Sequence, residues 1–376
     1  MLTPLDDSPW HQLPTTFDHV GTSDPRFFDR LWFAASDPGG TGTLQFTIGV
    51  YQNMNVVDGG FVLIHAGRQH NVRASRELRP RYEVATGPLS IEVVEPLRHL
   101  RLKVAPGAHG VSAELDWRAD LPPEEEPQHY ARRTGRVVED YCRFDQVGTC
   151  DGWFDAGAGR QPVDAWWACR DHSWGVRERV GIPEPVTSAP AAAETRGSLF
   201  AFLFYSTDRY GGHVQVARGT SGHEAVSVRI TDRDQPDRAR FGDRVGVSAR
   251  FTDDARPRRI VAGDFAVTTR DGGDVRLEVD ALGPAVAMPG LGYGGFDDGL
   301  GLGVWRGFAH VEHEMWDVSH PAQVGLADGS VVRPVHRIQP VRVVQHDHTG
   351  TSRGTGSLTF IAEGDLAQLG ITPLAD

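Results

Sequence analysis

No run of eighteen apolar residues occurs in this 376-residue sequence, and its opening MLTPLDDSPWHQL lacks the basic and apolar regions of a secretion signal. Neither export nor a membrane span is therefore expected, and the default expectation is a cytoplasmic protein. A basic surplus is missing too: 50 Asp and Glu outweigh 38 Lys and Arg, giving a formal net charge of −12. Nucleic-acid binders need clustered Lys and Arg to displace counterions, so nucleic acid is not an expected partner. Only three cysteines are present, Cys142, Cys150 and Cys169, with no C-x-x-C spacing. They suit reduced structural thiols better than a disulfide frame or a zinc site. The G-x-S-x-G elbow, the H-E-x-x-H helix, the dinucleotide fingerprint and the EF-hand loop are all absent, which disfavours ordinary serine hydrolases, zincins and nicotinamide enzymes.

Long windows with apolar residues at helical spacing are scarce, whereas short runs with period-two alternation recur between Gly- and Pro-rich turns. TLQFTIGVY (43–51), GFVLIHAG (60–67), VDAWWACRD (163–171), LFAFLFYS (199–206) and SLTFIAE (357–363) are such runs, and DGG, RDGGD and ADGS supply turn chemistry. The pattern predicts an all-β protein of antiparallel strands. Two stretches resemble linkers: the acidic, Pro-containing LPPEEEPQHY (121–130) and the Pro/Ala-rich GIPEPVTSAPAAAETRG (181–197). A boundary in the second gives two β domains, 1–182 and 183–376.

Just before that boundary stands WWACRDHSWGVRER (166–179), the densest group of reactive and aromatic side chains in the chain. In a regular strand Val163, Ala165, Trp167, Cys169, Asp171 and Ser173 share one face, and Asp164, Trp166, Ala168, Arg170, His172 and Trp174 the other. A carboxyl at the end of an apolar face loses water, so the pKa of Asp171 should rise and fit it to donate a proton near neutrality. Asp171 and His172 reach one pocket only if a bulge re-aims one of them. Equally, Asp171 pairs with Arg170 or Arg177 at a strand end, and the tryptophans are core.

RDHSWGVR resembles the signature of a superfamily of two-domain lipocalin-like (calycin-like) proteins that includes the carotenoid 1,2-hydratases (hydroxyneurosporene synthases) and the AttH-like proteins. Asp171, Trp174 and Gly175 match the hydratase segment His-Asp-x-Asn-Trp-Gly, while Ser173 replaces its Asn. GYGGFDDGLGLGVWRGFAHVEHEMWDV (292–318) and FFDRLWFAASDP are similar to segments of its uncharacterised members. The resemblance implies two consecutive lipocalin-like antiparallel barrel or sandwich domains and chemistry without a cofactor on a hydrophobic substrate.

Other clusters invite weaker readings. GLGYGGFDDGLGLG (290–303) lacks the G-K-[ST] of a phosphate loop and reads as a hairpin loop near a pocket mouth. His310 and Glu312 share a strand face, either solvent-facing or lining a lumen as acid or base. His346 and His348 have the H-x-H spacing that seeds a metal site, although sixteen histidines produce such pairs by chance. Tyr51 and Asn53 alternate on one face and can offer hydrogen bonds to a ligand. Together these readings predict an acid/base enzyme of the hydratase, lyase, cyclase or isomerase type acting on an isoprenoid, polyketide, steroid-like or aromatic molecule. Asp171 is the expected donor, with His172 or His310 as partner and Arg170 as polar anchor. Trp166, Trp167, Trp174 and Trp305 are the expected walls, able to stabilise a developing cation. The competing expectation is a carrier that only sequesters a hydrophobic ligand.

Overall fold

The alternating runs form strands, and the longer ones order as follows. The first half holds β1 (Phe27–Ser36), β2 (Gly42–Tyr51), β3 (Val56–His65), β4 (Arg68–Glu77), β5 (Leu89–Glu95), β6 (His99–Val104), β7 (Ser112–Ala119), β8 (Arg136–Asp155) and β9 (Gln161–Val176). The second holds β10 (Ser198–Thr207), β11 (Tyr210–Gly219), β12 (Glu224–Asp232), β13 (Ala239–Phe251), β14 (Ile260–Thr269), β15 (Asp274–Ala281), β16 (Ala309–Asp317), β17 (Arg337–Asp347) and β18 (Gly350–Glu363). The computed structural model describes residues 2–7, 9, 11–133, 135–181, 197–219, 224–252, 257–294, 298–320 and 323–374.

In the first sheet the strands lie in the order β16-β4-β3-β2-β1-β9-β8-β7-β6-β5, all antiparallel. It wraps a core in which Phe33, Phe46, Phe61, Leu63, Leu102, Leu115 and Trp117 are almost wholly buried. Side chains of this size contribute about 1.5–3 kcal/mol each when buried. The second sheet runs β10-β11-β12-β13-β14-β15-β17-β18 and closes by pairing β18 with β10, making an eight-stranded antiparallel barrel. Ala201, Leu203 and Tyr205 of β10 point into the barrel core, and the alternate Phe202 and Phe204 point out of it.

Those outward rings meet the outer face of the first sheet. Trp32, Ala34, Val62, Val147, Trp167 and Cys169 from that face join Phe202, Phe204, Ile338 and the segment around Met288 in one apolar cluster, which is the junction between the two sheets. The all-β expectation of two consecutive barrel or sandwich domains meets one correction. The expected division at 182/183 falls among residues outside the described ones, and the sheets do not follow it: β16, from the second half, hydrogen-bonds along β4 and completes the first sheet. The free edge of β4 requires a partner for its backbone groups, and local alternation says nothing about which distant strand supplies it.

Candidate functional site

Strand register decides which side chains share the junction face. Directly opposed residues form one row, Asp145–Asp171–Trp32–Thr47, across β8, β9, β1 and β2. The neighbouring row on the same face is Arg143–Ser173–Arg30–Gly49–Asp58–Ser75. Two polar rows thus lie beside the apolar cluster between the sheets.

At one end, three carboxyls converge on one guanidinium. Arg143 Nη2 donates to both oxygens of Glu126 at 2.7 Å, and the His129 ring, stacked on Tyr141 at 4.5 Å, meets Glu126 Oε2 at 2.5 Å. Burial works against the Glu126 anion, but hydrogen bonds from Asp145 and His129 and the charge of Arg143 outweigh it, holding this carboxyl well below the usual range. Asp145, 1 % exposed, moves the other way: burial lifts its pKa well above the usual value despite Arg143, whose Nε stands 3.7 Å away. Burial thus favours the protonated form of Asp145, while Arg143 and His129 favour the ionised form of Glu126. Asp171, across the strand pair from Asp145, keeps partial solvent contact. Burial still raises its pKa, against the opposing pull of Arg143 and Arg177.

Further along, Arg30 lies buried at 1 % exposure. Its Nη1 donates to Tyr51 Oη at 2.5 Å and to Asp58 Oδ1 at 3.2 Å; the Tyr51 hydroxyl donates on to Asp58 Oδ1 at 3.1 Å, and Asp58 Oδ2 accepts the Gly303 N–H at 2.6 Å. Nε and Nη2 of Arg30 have no hydrogen-bond partner among the described residues. Glycine makes room for Tyr51: a Cβ at Gly49 would sit 2.6 Å from its hydroxyl, and one at Gly303, where φ is +73°, would sit 2.5 Å from its ring. The Tyr293 ring lies 5.0 Å from the Arg30 guanidinium carbon and packs edge-on against His336 at 5.5 Å. Its position follows from the preceding turn, Met288–Leu291. That turn is held by a reciprocal amide clamp between Gln69 and Ala287 (2.9 and 3.0 Å) and sits where Gly60 has no side chain to obstruct it. Burial, with help from Arg179 and Arg177, lowers the His336 pKa to about 4, so the imidazole is neutral at physiological pH. Arg177, stacked 4.4 Å over Phe28, acts electrostatically on both Asp171 and His336 and makes no hydrogen bond or ion pair among the described residues.

The structure brings Asp171, Tyr51 and Trp167 to this face. Trp167 Nε1 reaches Ser206 of the barrel at 3.3 Å. Cys169 is also here, fully buried, with a thiol pKa raised by burial. Other expected residues go elsewhere. The bulge sought near Asp171 does occur, but at Ala165, where φ is +48° and the β8–β9 register shifts. From Trp166 to Val176 the register is continuous, so His172 points away from Asp171 and meets Asp29 at 2.7 Å and the Phe144 and Trp174 rings. Arg170 faces that same way, bonded to Gln146 and stacked between Trp117 and Phe144, while Trp166 belongs to the first core. Trp174 and Trp305 are 39 % and 45 % exposed and wall no junction pocket. Asn53 is an exposed clamp on the carbonyls of Thr22 and Asp24. His310 lies on the right face but five strand spacings from Asp171, roughly 24 Å along the sheet. It pairs with Glu312, itself bound by Arg73 together with Glu314. His346 meets Thr351 and Glu278, and His348 is exposed. Among the described residues no three His, Cys, Asp or Glu are grouped to hold a metal ion.

Arg30, Asp58, Arg143, Asp145, Glu126, Tyr293 and His336 escaped the sequence reading. Two carried a local signal: alternation in FFDRLWFAAS puts Arg30 among Phe28, Trp32 and Ala34, and in VVDGGFVLI it puts Asp58 with Val56 and Val62. A charge on an otherwise apolar face needs a buried partner.

Among solved structures, the chain is similar to the crystal structure of kievitone hydratase from Nectria haematococca, at 10% identity over 88% of each chain with a TM-score of 0.44. It is also similar to crystal structures of CghA, with Sch210972 (10% identity, 90% of this chain and 88% of that one, TM-score 0.46) and without it (10%, 91% and 90%, TM-score 0.46). No curated protein matches it. A family model matches residues 2–372, and the chain therefore belongs to DUF8625, a family of unknown function.

Proposed function

We propose that this protein moves protons to and from a hydrophobic small molecule at the junction face, without a cofactor, in a hydratase, lyase, cyclase or isomerase type of reaction. Asp171 is the proton donor. The observation that carries this reading is the pairing of Asp171 with Asp145 beside Trp32: two opposed carboxyls, each with its pKa raised by burial, next to an apolar wall. Such a group can protonate a double bond or an oxygen near neutral pH, where an ordinary aspartate is already ionised. Asp145 restores the proton through the cross-strand pair, and Arg143 stabilises the carboxylate that turnover leaves behind.

The carrier reading uses the same aromatic wall, Trp32, Trp167 and Phe202, and assigns no task to the Asp171 proton. Identification of a co-purified small molecule by mass, followed by its turnover with the natural enzyme and with Asp171→Asn, separates the two. A proton donor predicts a loss of about a hundredfold or more in kcat with unchanged fold. Full turnover by Asp171→Asn overturns the donor role, and binding without turnover by the natural protein establishes the carrier.

A further inference from the structure

We infer that Arg30 and Arg177 receive a carboxylate of the ligand, so that the molecule held at the junction is a hydrophobic acid and not a neutral hydrocarbon. This deepens the proton-transfer reading and rests on it for the location of the ligand.

The inference begins with Arg30, a guanidinium at 1 % exposure whose charge is partnered on one side only. Nη1 holds Tyr51 and Asp58, but Nε and Nη2, the edge that grips a carboxylate through two parallel hydrogen bonds, meet no acceptor among the described residues. The Tyr293 ring near the guanidinium satisfies its face, not its N–H groups. Leaving a buried donor unpaired costs about 1–3 kcal/mol, more for a charged group, and such a donor calls for an acceptor from outside the chain.

Arg177 is the second, independent observation. It acts electrostatically on Tyr51, Tyr141, Asp171 and His336 at once, yet ends in no ion pair among the described residues, its guanidinium resting on the Phe28 ring. Tyr51 and Tyr293, which meet Arg30, and Phe28, which lies under Arg177, belong to one apolar cluster with Val56, Leu302 and Tyr141, a chemistry that suits the body of an aromatic or polycyclic acid.

Calorimetry with 2-naphthoate and its neutral counterpart 2-naphthalenemethanol tests this without requiring turnover. The natural protein is expected to bind the carboxylate at least tenfold more tightly than the alcohol. Arg177→Met and Arg30→Lys, the latter keeping charge but losing the fork, should each abolish most of that preference while leaving alcohol binding within about twofold. Should Arg30→Lys fail to fold by circular dichroism, Arg177→Met together with the natural protein's preference decides the matter. Equal affinity for the two probes, binding of neither, or a preference untouched in the folded variants overturns the inference. Asp171→Asn separates this inference from the proton-donor reading: the carboxylate preference should survive in it while turnover is lost. A preference without any turnover change leaves the acid site standing and removes the donor.

Discussion

Lowering the pH should destabilise this protein through His336, and the effect can be isolated by difference. In the unfolded chain the imidazole titrates near its ordinary value of 6.5; in the fold, burial and the charges of Arg179 and Arg177 hold it near 4. Between those values the unfolded state carries a proton that the folded state refuses. Stability attributable to His336 is therefore full above pH 6.5 and is lost as the pH falls toward 4. At about 1.4 kcal/mol per tenfold change in proton affinity the interval is worth about 3 kcal/mol, and partial solvent contact of the ring reduces this to about 2 kcal/mol. Asp145 and Asp171 oppose it: their raised pKa values mean that folding takes up protons, so they add stability as the pH falls through their folded values. The natural protein alone therefore shows a blunted slope. His336→Phe keeps an aromatic ring against Tyr293 and removes the imidazole, so urea unfolding of both proteins at pH 7, 6, 5 and 4 reads out His336 by itself. The variant should gain about 2 kcal/mol on the natural protein between pH 7 and pH 4. Parallel stability curves would refute the claim that this histidine is held neutral by its surroundings.

Other outcomes follow from the same geometry. Arg73→Met leaves Glu312 and Glu314 without their shared cation on a side chain that is 3 % exposed, and should cost about 3 kcal/mol in chemical denaturation. Hydrogen exchange should show that loss concentrated in β4 and β16. Gly303→Ala forces a Cβ into the Tyr51 ring at a left-handed backbone position and should cost about 2–4 kcal/mol, while lowering carboxylate affinity through displacement of the Tyr51–Arg30 pair. His172→Ala and Trp174→Ala, on the opposite face from Asp171, should leave turnover of the identified substrate within about twofold; a hundredfold loss in either would return His172 to the site.

Local alternation was sufficient to read the strands and to separate Asp171 from His172, because side-chain period two is a property of each strand alone. It was sufficient, too, to mark Asp171 as a carboxyl ending an apolar face. It could not place Asp145 opposite Asp171, since that contact depends on the register of β8 against β9, nor the bulge at Ala165, which inverts the parity of Val163 relative to Trp167. Without that bulge Trp166 would face the junction and Trp167 the first core. Arg30 and Asp58 were visible as misplaced charges but not as partners, and His336 had no local mark at all: its surroundings come from residues 177, 179 and 293.

The hydrogen bonding of β16 to β4 also sets an order of events during synthesis. Arg73 and Glu312 are 239 residues apart in sequence. At about 5–20 residues per second, the ribosome delivers the second on the order of tens of seconds after the first. Throughout that interval the nascent first sheet carries a bare strand edge and a cation without its two carboxylates, the condition under which chains pair with one another. Accumulation of the protein in cells should therefore depend on whatever shields that edge, and a chain stopped at residue 182 should be recovered as aggregate.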